Sequence, residues 1–203
     1  MFASSRRRHL ALAVAAAAAV MLTHSADAAA PKPGLHISDP VGDANGVNNQ
    51  GFGLPVPSES TSPASVSGAD ITGIDFRTEF VGKGKKRKAN GFDVILTLDA
   101  ALQKGVLITI TMDSSVPCGG SSVIQLGYGT SSLAVCQSGT TGSTTNDNIG
   151  TVTASSDGKS IDWYIDPVFK AGTTITNIAA TTSVFVLGVF DEANSAGTFH
   201  YGK

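Results

Sequence analysis

Cysteine is nearly absent from this chain: Cys118 and Cys136 are the only two in 203 residues. That excludes a cysteine-rich zinc module, and beyond the N-terminal segment only His36 and His200 could add nitrogen ligands. Aromatic residues make up 6%, with one Trp and three Tyr, which leaves little material for stacking surfaces. No apolar run after residue 30 approaches the roughly 20 residues that a membrane-spanning helix needs. Beyond the N-terminal segment, none shows a 3.6-residue apolar period over ten or more positions, so helical folds are excluded too. Catalytic signatures are missing as well: there is no G-x-S-x-G elbow, no H-E-x-x-H, no phosphate loop and no cofactor fingerprint. A carboxylate pair for glycoside hydrolysis needs no motif, and Asp75, Asp93, Asp99, Asp113 and Asp162 are available. On alternating strands such residues form the solvated face. The formal net charge of −2 argues against a general binder of nucleic acid or anionic membrane.

What is present begins with a targeting pattern. Arg6-Arg7-Arg8 precede an alanine-rich apolar run from Leu10 to Leu22, and Ala26-Asp27-Ala28 and Ala28-Ala29-Ala30 offer small-x-small cleavage sites. Residues 1–30 are therefore expected to be a signal peptide, 31–35 a short linker and 36–203 a single domain. General secretory and twin-arginine routes both fit. The expected location is extracellular, with no membrane insertion. In that oxidising setting Cys118 and Cys136 are expected to pair, which stabilises by about 3 kcal/mol in a chain-entropy account.

The mature part reads as short strands with turns between them. Ile74, Phe76 and Phe80 alternate with Asp75, Arg77 and Glu79, and Phe92, Val94, Leu96 and Leu98 repeat the period of two. Further strands are predicted at Val106–Met112, Val123–Tyr128, Leu133–Cys136, Ile149–Ala154 and Ser160–Ile165. Thr173–Thr181 is β-prone, Ser183–Phe190 reads as one apolar strand covered on both faces, and Thr198–Tyr201 as a last edge strand. Val168–Lys170 is expected to make one helical turn, and residues 139–148 a loop. About eight to ten such strands predict an all-β fold, an antiparallel β-sandwich of jelly-roll type.

Two loops stand out. Gly82–Gly91 is a hairpin tip carrying Lys83, Lys85, Lys86, Arg87 and Lys88. It is either a solvated turn that discourages edge-to-edge pairing or a patch for an anionic polymer. The stretch His36–Gly46 places Asp39, Asp43 and Asn45 close together around Pro40 and Gly42. Such a loop is either an Asx-rich turn or a site for a hard cation such as Ca²⁺, which takes several oxygen ligands at once. It is not an EF-hand, because Val41 stands where that template needs an acid or amide and no Glu lies near Phe52.

Asp39-Pro-Val-Gly-Asp43-Ala-Asn-Gly46, a Pro-rich loop, and then Ala69-Asp70-Ile71-Thr72-Gly73-Ile74-Asp75-Phe76 resemble a known grouping. It is that of secreted β-sandwich domains related to family 9 carbohydrate-binding modules and DOMON-like domains. The resemblance covers about 40 residues and implies a structural calcium near the first loop. Carried over by position, Asp39 and Asp43 would be ligands, joined by Asn45 and Asp70 and by Asp191 or Glu192 from the C-terminal end. Sugar-binding members clamp rings between exposed aromatics. The candidates here are Phe52 and the outward member of Trp163 and Tyr164, which point to opposite faces of one strand. The expected function is a secreted, non-catalytic binding module for a glycan or cell-wall polymer, held by one calcium and one disulfide. The alternative is a structural or protein-interaction domain without a carbohydrate ligand.

Overall fold

A computed structural model of the protein describes residues 34–44, 67–118, 121–129, 132–138, 145–184 and 188–203. The chain divides into two units, Met1–Ala30 and Pro31–Lys203, and the described residues all belong to the second. The expected signal peptide, Asn45 and Phe52 lie outside the described residues.

Twelve strands are described: β1 (Leu35–Ser38), β2 (Ile71–Val81), β3 (Lys88–Leu98), β4 (Leu107–Cys118), β5 (Ser121–Tyr128), β6 (Leu133–Ser138), β7 (Thr145–Asn148), β8 (Gly150–Ala154), β9 (Ser160–Ile165), β10 (Thr174–Val184), β11 (Gly188–Ser195) and β12 (Phe199–His200). One sheet has the order β1-β2-β3-β9-β8; the other runs β11-β10-β4-β5-β6-β7, with β12 also on β10. Every pairing is antiparallel. The expected antiparallel β-sandwich is the architecture found.

Alternation explains the core. On β3, Phe92, Val94, Leu96 and Leu98 are buried; on β9, Ile161, Trp163 and Ile165; on β4, Ile108, Ile110 and Met112. Each fully buried side chain of this size contributes about 1.5–3 kcal/mol. A shift of register between Ile71 and Gly73 lets Ile71 and Ile74 both turn inward although three residues apart. Trp163 is entirely buried and its Nε1–H donates to the Gly127 carbonyl at 3.2 Å, a bond from one sheet to the other. At one end the rings of Phe76, Phe92, Phe199 and Tyr201 pack with centroids 5.4–5.7 Å apart, so the C-terminal residues plug the sandwich. Cys118 and Cys136 are bonded with Cα atoms 5.7 Å apart, which ties the end of β4 to β6 across β5.

Three segments differ from expectation. The apolar run Ser183–Phe190 is not one strand: β10 ends at Val184 and β11 starts at Gly188, and these two residues pair, so the chain reverses inside the run. An all-apolar run has no period to mark a turn within it. Thr145–Asn148, expected in a loop, is an edge strand on β6, because backbone pairing at an edge makes few demands on side chains. Val168–Lys170 forms a hydrogen-bonded turn after Pro167 and no helix.

Tyr201 is 2% exposed and its hydroxyl accepts the Gly91 amide at 3.0 Å. Tyr201→Phe keeps the ring packing but strands a buried N–H, which costs about 1–3 kcal/mol. The melting temperature is expected to fall by about 2–4 °C per kcal/mol lost. An unchanged melt would show that the bond contributes nothing net.

Candidate metal centre

The first loop is fastened where the two sheets meet. β1 leads out of the five-stranded sheet into Asp39, whose amide donates to the Thr72 carbonyl at 3.3 Å. The chain then turns at Val41-Gly42, with Gly42 at φ 86°, a left-handed conformation that favours glycine. This turn returns the Asp43 carboxylate towards Asp39. From the other sheet, β11 supplies Asp191, opposite Thr182 of β10. Carboxylate oxygens of Asp39, Asp43 and Asp191 all lie within 4.8 Å of one another. Asp43 is exposed, Asp39 half-buried and Asp191 buried at 6% exposure. The cluster thus has one open side. Glu192, the alternative to Asp191, points the other way and is exposed.

The Ala69–Thr72 segment is the splint for this arrangement. Asp191 accepts the Ile71 amide at 2.5 Å and its own neighbour's amide, Glu192, at 2.9 Å. The Thr182 hydroxyl donates to the Ala69 carbonyl at 2.6 Å. Asp70, at 2% exposure, accepts the Gly42 amide at 2.6 Å and so holds the turn of the loop. Its first role is therefore to shape the loop, with its second oxygen, Oδ1, still lacking a hydrogen-bond partner. Asp39 Oδ2 is likewise buried and unpartnered.

Electrostatics describe the same place. Burial pushes the Asp39 carboxyl up to about 6, and the charges of Asp191, Asp43 and Asp70 add to the rise. Asp191 and Asp70 are also raised, first by burial; amide hydrogen bonds pull each back, and the Asp43 charge pushes each up. Among the described residues the only ion pairs join His36 and Arg77 to Asp75, so none offsets this cluster. An Asp cluster of hard oxygen donors, with orphaned buried oxygens beside it, can hold a metal ion.

The outer face of the five-stranded sheet carries a second set of titratable groups. Register places Arg77, Asp93, Tyr164 and Thr151 in one cross-strand row, and His36, Asp75, Ile95, Asp162 and Thr153 in the next. Ser38 Oγ lies 3.0 Å from His36 Nε2, His36 Nδ1 lies 2.6 Å from Asp75, and Arg77 holds the other Asp75 oxygen at 2.8 Å. The sequence offers these carboxylates for a pair without showing which of them are neighbours. Each strand shows its polar side, but nothing in one strand tells which residues of another stand beside it.

Of the aromatic candidates, Trp163 lies in the core and offers no contact surface. Tyr164 faces outward and is half-buried, its hydroxyl donating to the Asn90 carbonyl and receiving the Asn90 side-chain amide at 3.3 Å. No protein-family profile, curated protein or solved structure matches this chain.

Asp93 is raised to about 7, first by burial, then by a hydrogen bond with Glu79 and the charges of Asp162 and Glu79, against a lowering by Arg77. A carboxyl raised in the folded state holds a proton that the unfolded chain has released. Its contribution is therefore fully present below the ordinary carboxylate range and is lost as pH rises through about 7. Asp93→Asn is expected to melt higher than the parent at about pH 8 and to show a flatter pH dependence between about 5 and 8. Parallel curves for the two proteins would overturn this account.

Proposed function

We propose that this chain is an exported, non-catalytic binding domain whose sandwich is fastened by a structural Ca²⁺ ion and one disulfide, and whose partner is a glycan or cell-envelope polymer. The observation that carries the reading is the convergence of Asp39 and Asp43 with Asp191 at the junction of the two sheets. The donor set is all oxygen, as Ca²⁺ prefers, and Asp70 adds a buried, unpartnered oxygen close by. A bound cation supplies positive charge between carboxylates that otherwise repel. The protein's own part is to present them: Asp70 shapes the loop, and the Ile71 amide orients Asp191. The leader-like N-terminus, the disulfide and the resemblance of Asp39–Gly46 and Ala69–Phe76 to secreted carbohydrate-binding-type sandwiches support export and binding.

The non-catalytic part of the reading is supported by the setting of the Ser38–His36–Asp75 relay. Its imidazole is 54% exposed and stands in water, where a serine hydroxyl gains little from a neighbouring base. A second reading, a structural or protein-interaction domain without a carbohydrate ligand, is favoured by one observation. Trp163 is committed to the core, so it forms no aromatic clamp with Tyr164.

Adding EGTA is expected to lower the melting temperature by roughly 5–10 °C, the equivalent of about 2.7 kcal/mol at a hundredfold excess of ion over Kd. Ca²⁺ should restore it and Mg²⁺, with its tighter octahedral demand, should not. Asp43→Ala should melt alike with and without chelator. A parent melt indifferent to EGTA would remove the calcium.

For the partner, pull-down on insoluble polysaccharides is expected to deplete the protein from solution. No depletion on any of them, with capture of a protein partner instead, would favour the second reading.

A further inference from the structure

The basic hairpin tip is absorbed neither by the metal centre nor by the core. β2 and β3 form the longest hairpin, and every residue from Val81 to Lys88 is exposed. Lys83, Lys85, Lys86, Arg87 and Lys88 lie in this tip, and no ion pair engages any of them among the described residues. The nearest acid in sequence, Glu79, is hydrogen-bonded to Asp93 instead. The other described cations are scattered: Arg77 is held by Asp75, Lys159 donates to the Asp99 carbonyl, and Lys104, Lys170 and Lys203 lie in separate loops.

The tip is also built. Amides of Lys86 and Arg87 donate to the carbonyls of Lys83 and Gly84 in a tight turn at Gly84–Lys86. Gly82 has φ 87°, and a Cβ there would meet the Lys86 carbonyl oxygen at 2.7 Å. The Arg87 guanidinium lies 3.7 Å over the Phe80 ring, which anchors one end of the turn to its stem. Part of the entropic cost of presenting these charges together is therefore met before any partner arrives.

We infer that the β2–β3 tip is a docking finger for an anionic polysaccharide, one bearing sulfate or carboxylate groups along its chain. This rests on the binding-module reading and names the polymer class. Charge complementarity selects a polyanion, since the tip gathers unpaired cations on a protein whose net charge is negative. Nucleic acid fits less well, because base stacking needs an open aromatic face and Arg87 covers that of Phe80. A membrane surface fits less well too, since only Val81 offers exposed apolar surface at the tip.

The test uses residues 31–203 with heparin and polygalacturonate as charged probes, neutral dextran, phosphatidylglycerol vesicles and a single-stranded oligonucleotide. Both charged polysaccharides are expected to bind, with log affinity falling as log salt rises by about 0.7 per cation engaged, the single-strand value. The triple variant Lys83→Ala, Lys85→Ala, Lys86→Ala should lose at least about tenfold in affinity and flatten that slope by about 2. Lys104→Ala, Lys159→Ala, Lys170→Ala, with the same change in net charge, should leave both nearly unchanged. An EGTA-sensitive melt in each variant checks the fold. Equal losses in the two triple variants would overturn the inference, as would binding of vesicles or oligonucleotide as tight as that of the polysaccharides. Pull-down by neutral glycans alone would overturn the finger and leave the binding-module reading standing.

Discussion

Repulsion among carboxylates collected where two sheets meet is the constraint on which this sandwich depends. Asp39 and Asp43 come from the five-stranded side, Asp191 from the other, and Asp70 is buried beside them. Left alone, such a group pushes the first loop away from the core, and its repulsion adds to the burial that raises the Asp39 carboxyl. Amides of Gly42, Ile71 and Glu192 answer part of that repulsion by pointing at the acids. They are dipoles rather than charges, and they leave Asp39 Oδ2 and Asp70 Oδ1 without partners.

Polar groups elsewhere are handled differently. The Trp163 indole and the Tyr201 hydroxyl are each satisfied by one backbone group across the core, so they add direction to an otherwise apolar contact. On the outer face burial raises Asp93 and Asp162, Arg77 offsets part of that rise and draws Asp75 close, yet its Nε has no partner. Acids outnumber bases there and crowd one another, whereas the hairpin tip leaves its cations in water. The strands thus carry an acid-rich seam, an acid-crowded face and a basic finger.

Legibility in the sequence followed the range of each interaction. Asp39 and Asp43 were readable because a short loop brings them together whatever the rest of the chain does. The opposite orientations of Trp163 and Tyr164 follow from the period of a strand. That Asp191 completes the cluster was suggested only by resemblance; it depends on β11 lying at the edge beside β10, which no local pattern encodes. Asp70 illustrates a second limit: resemblance alone offers it as a ligand, while its hydrogen bond to Gly42 gives it a scaffolding task first. The fold class was legible from alternation and turn residues, but the break inside Ser183–Phe190 and the strand at Thr145–Asn148 were not, since neither carries a periodic signal.

Ile149 sits between β7 and β8, where the chain passes from one sheet to the other. Its amide donates to Ala134 of the seven-stranded sheet at 2.8 Å, and its carbonyl accepts the Asp166 amide, just after β9 of the five-stranded sheet, at 2.8 Å. A single peptide segment is thereby stitched to both layers at one margin. A second junction lies where the Asp191 carboxylate of β11 accepts the Ile71 amide of β2 and the Thr182 hydroxyl of β10 donates to the Ala69 carbonyl. A sandwich sewn in two such places resists shear, because sliding one layer along the other stretches both sets of stitches together. A load applied to one layer is thereby passed to the other instead of letting the two slip.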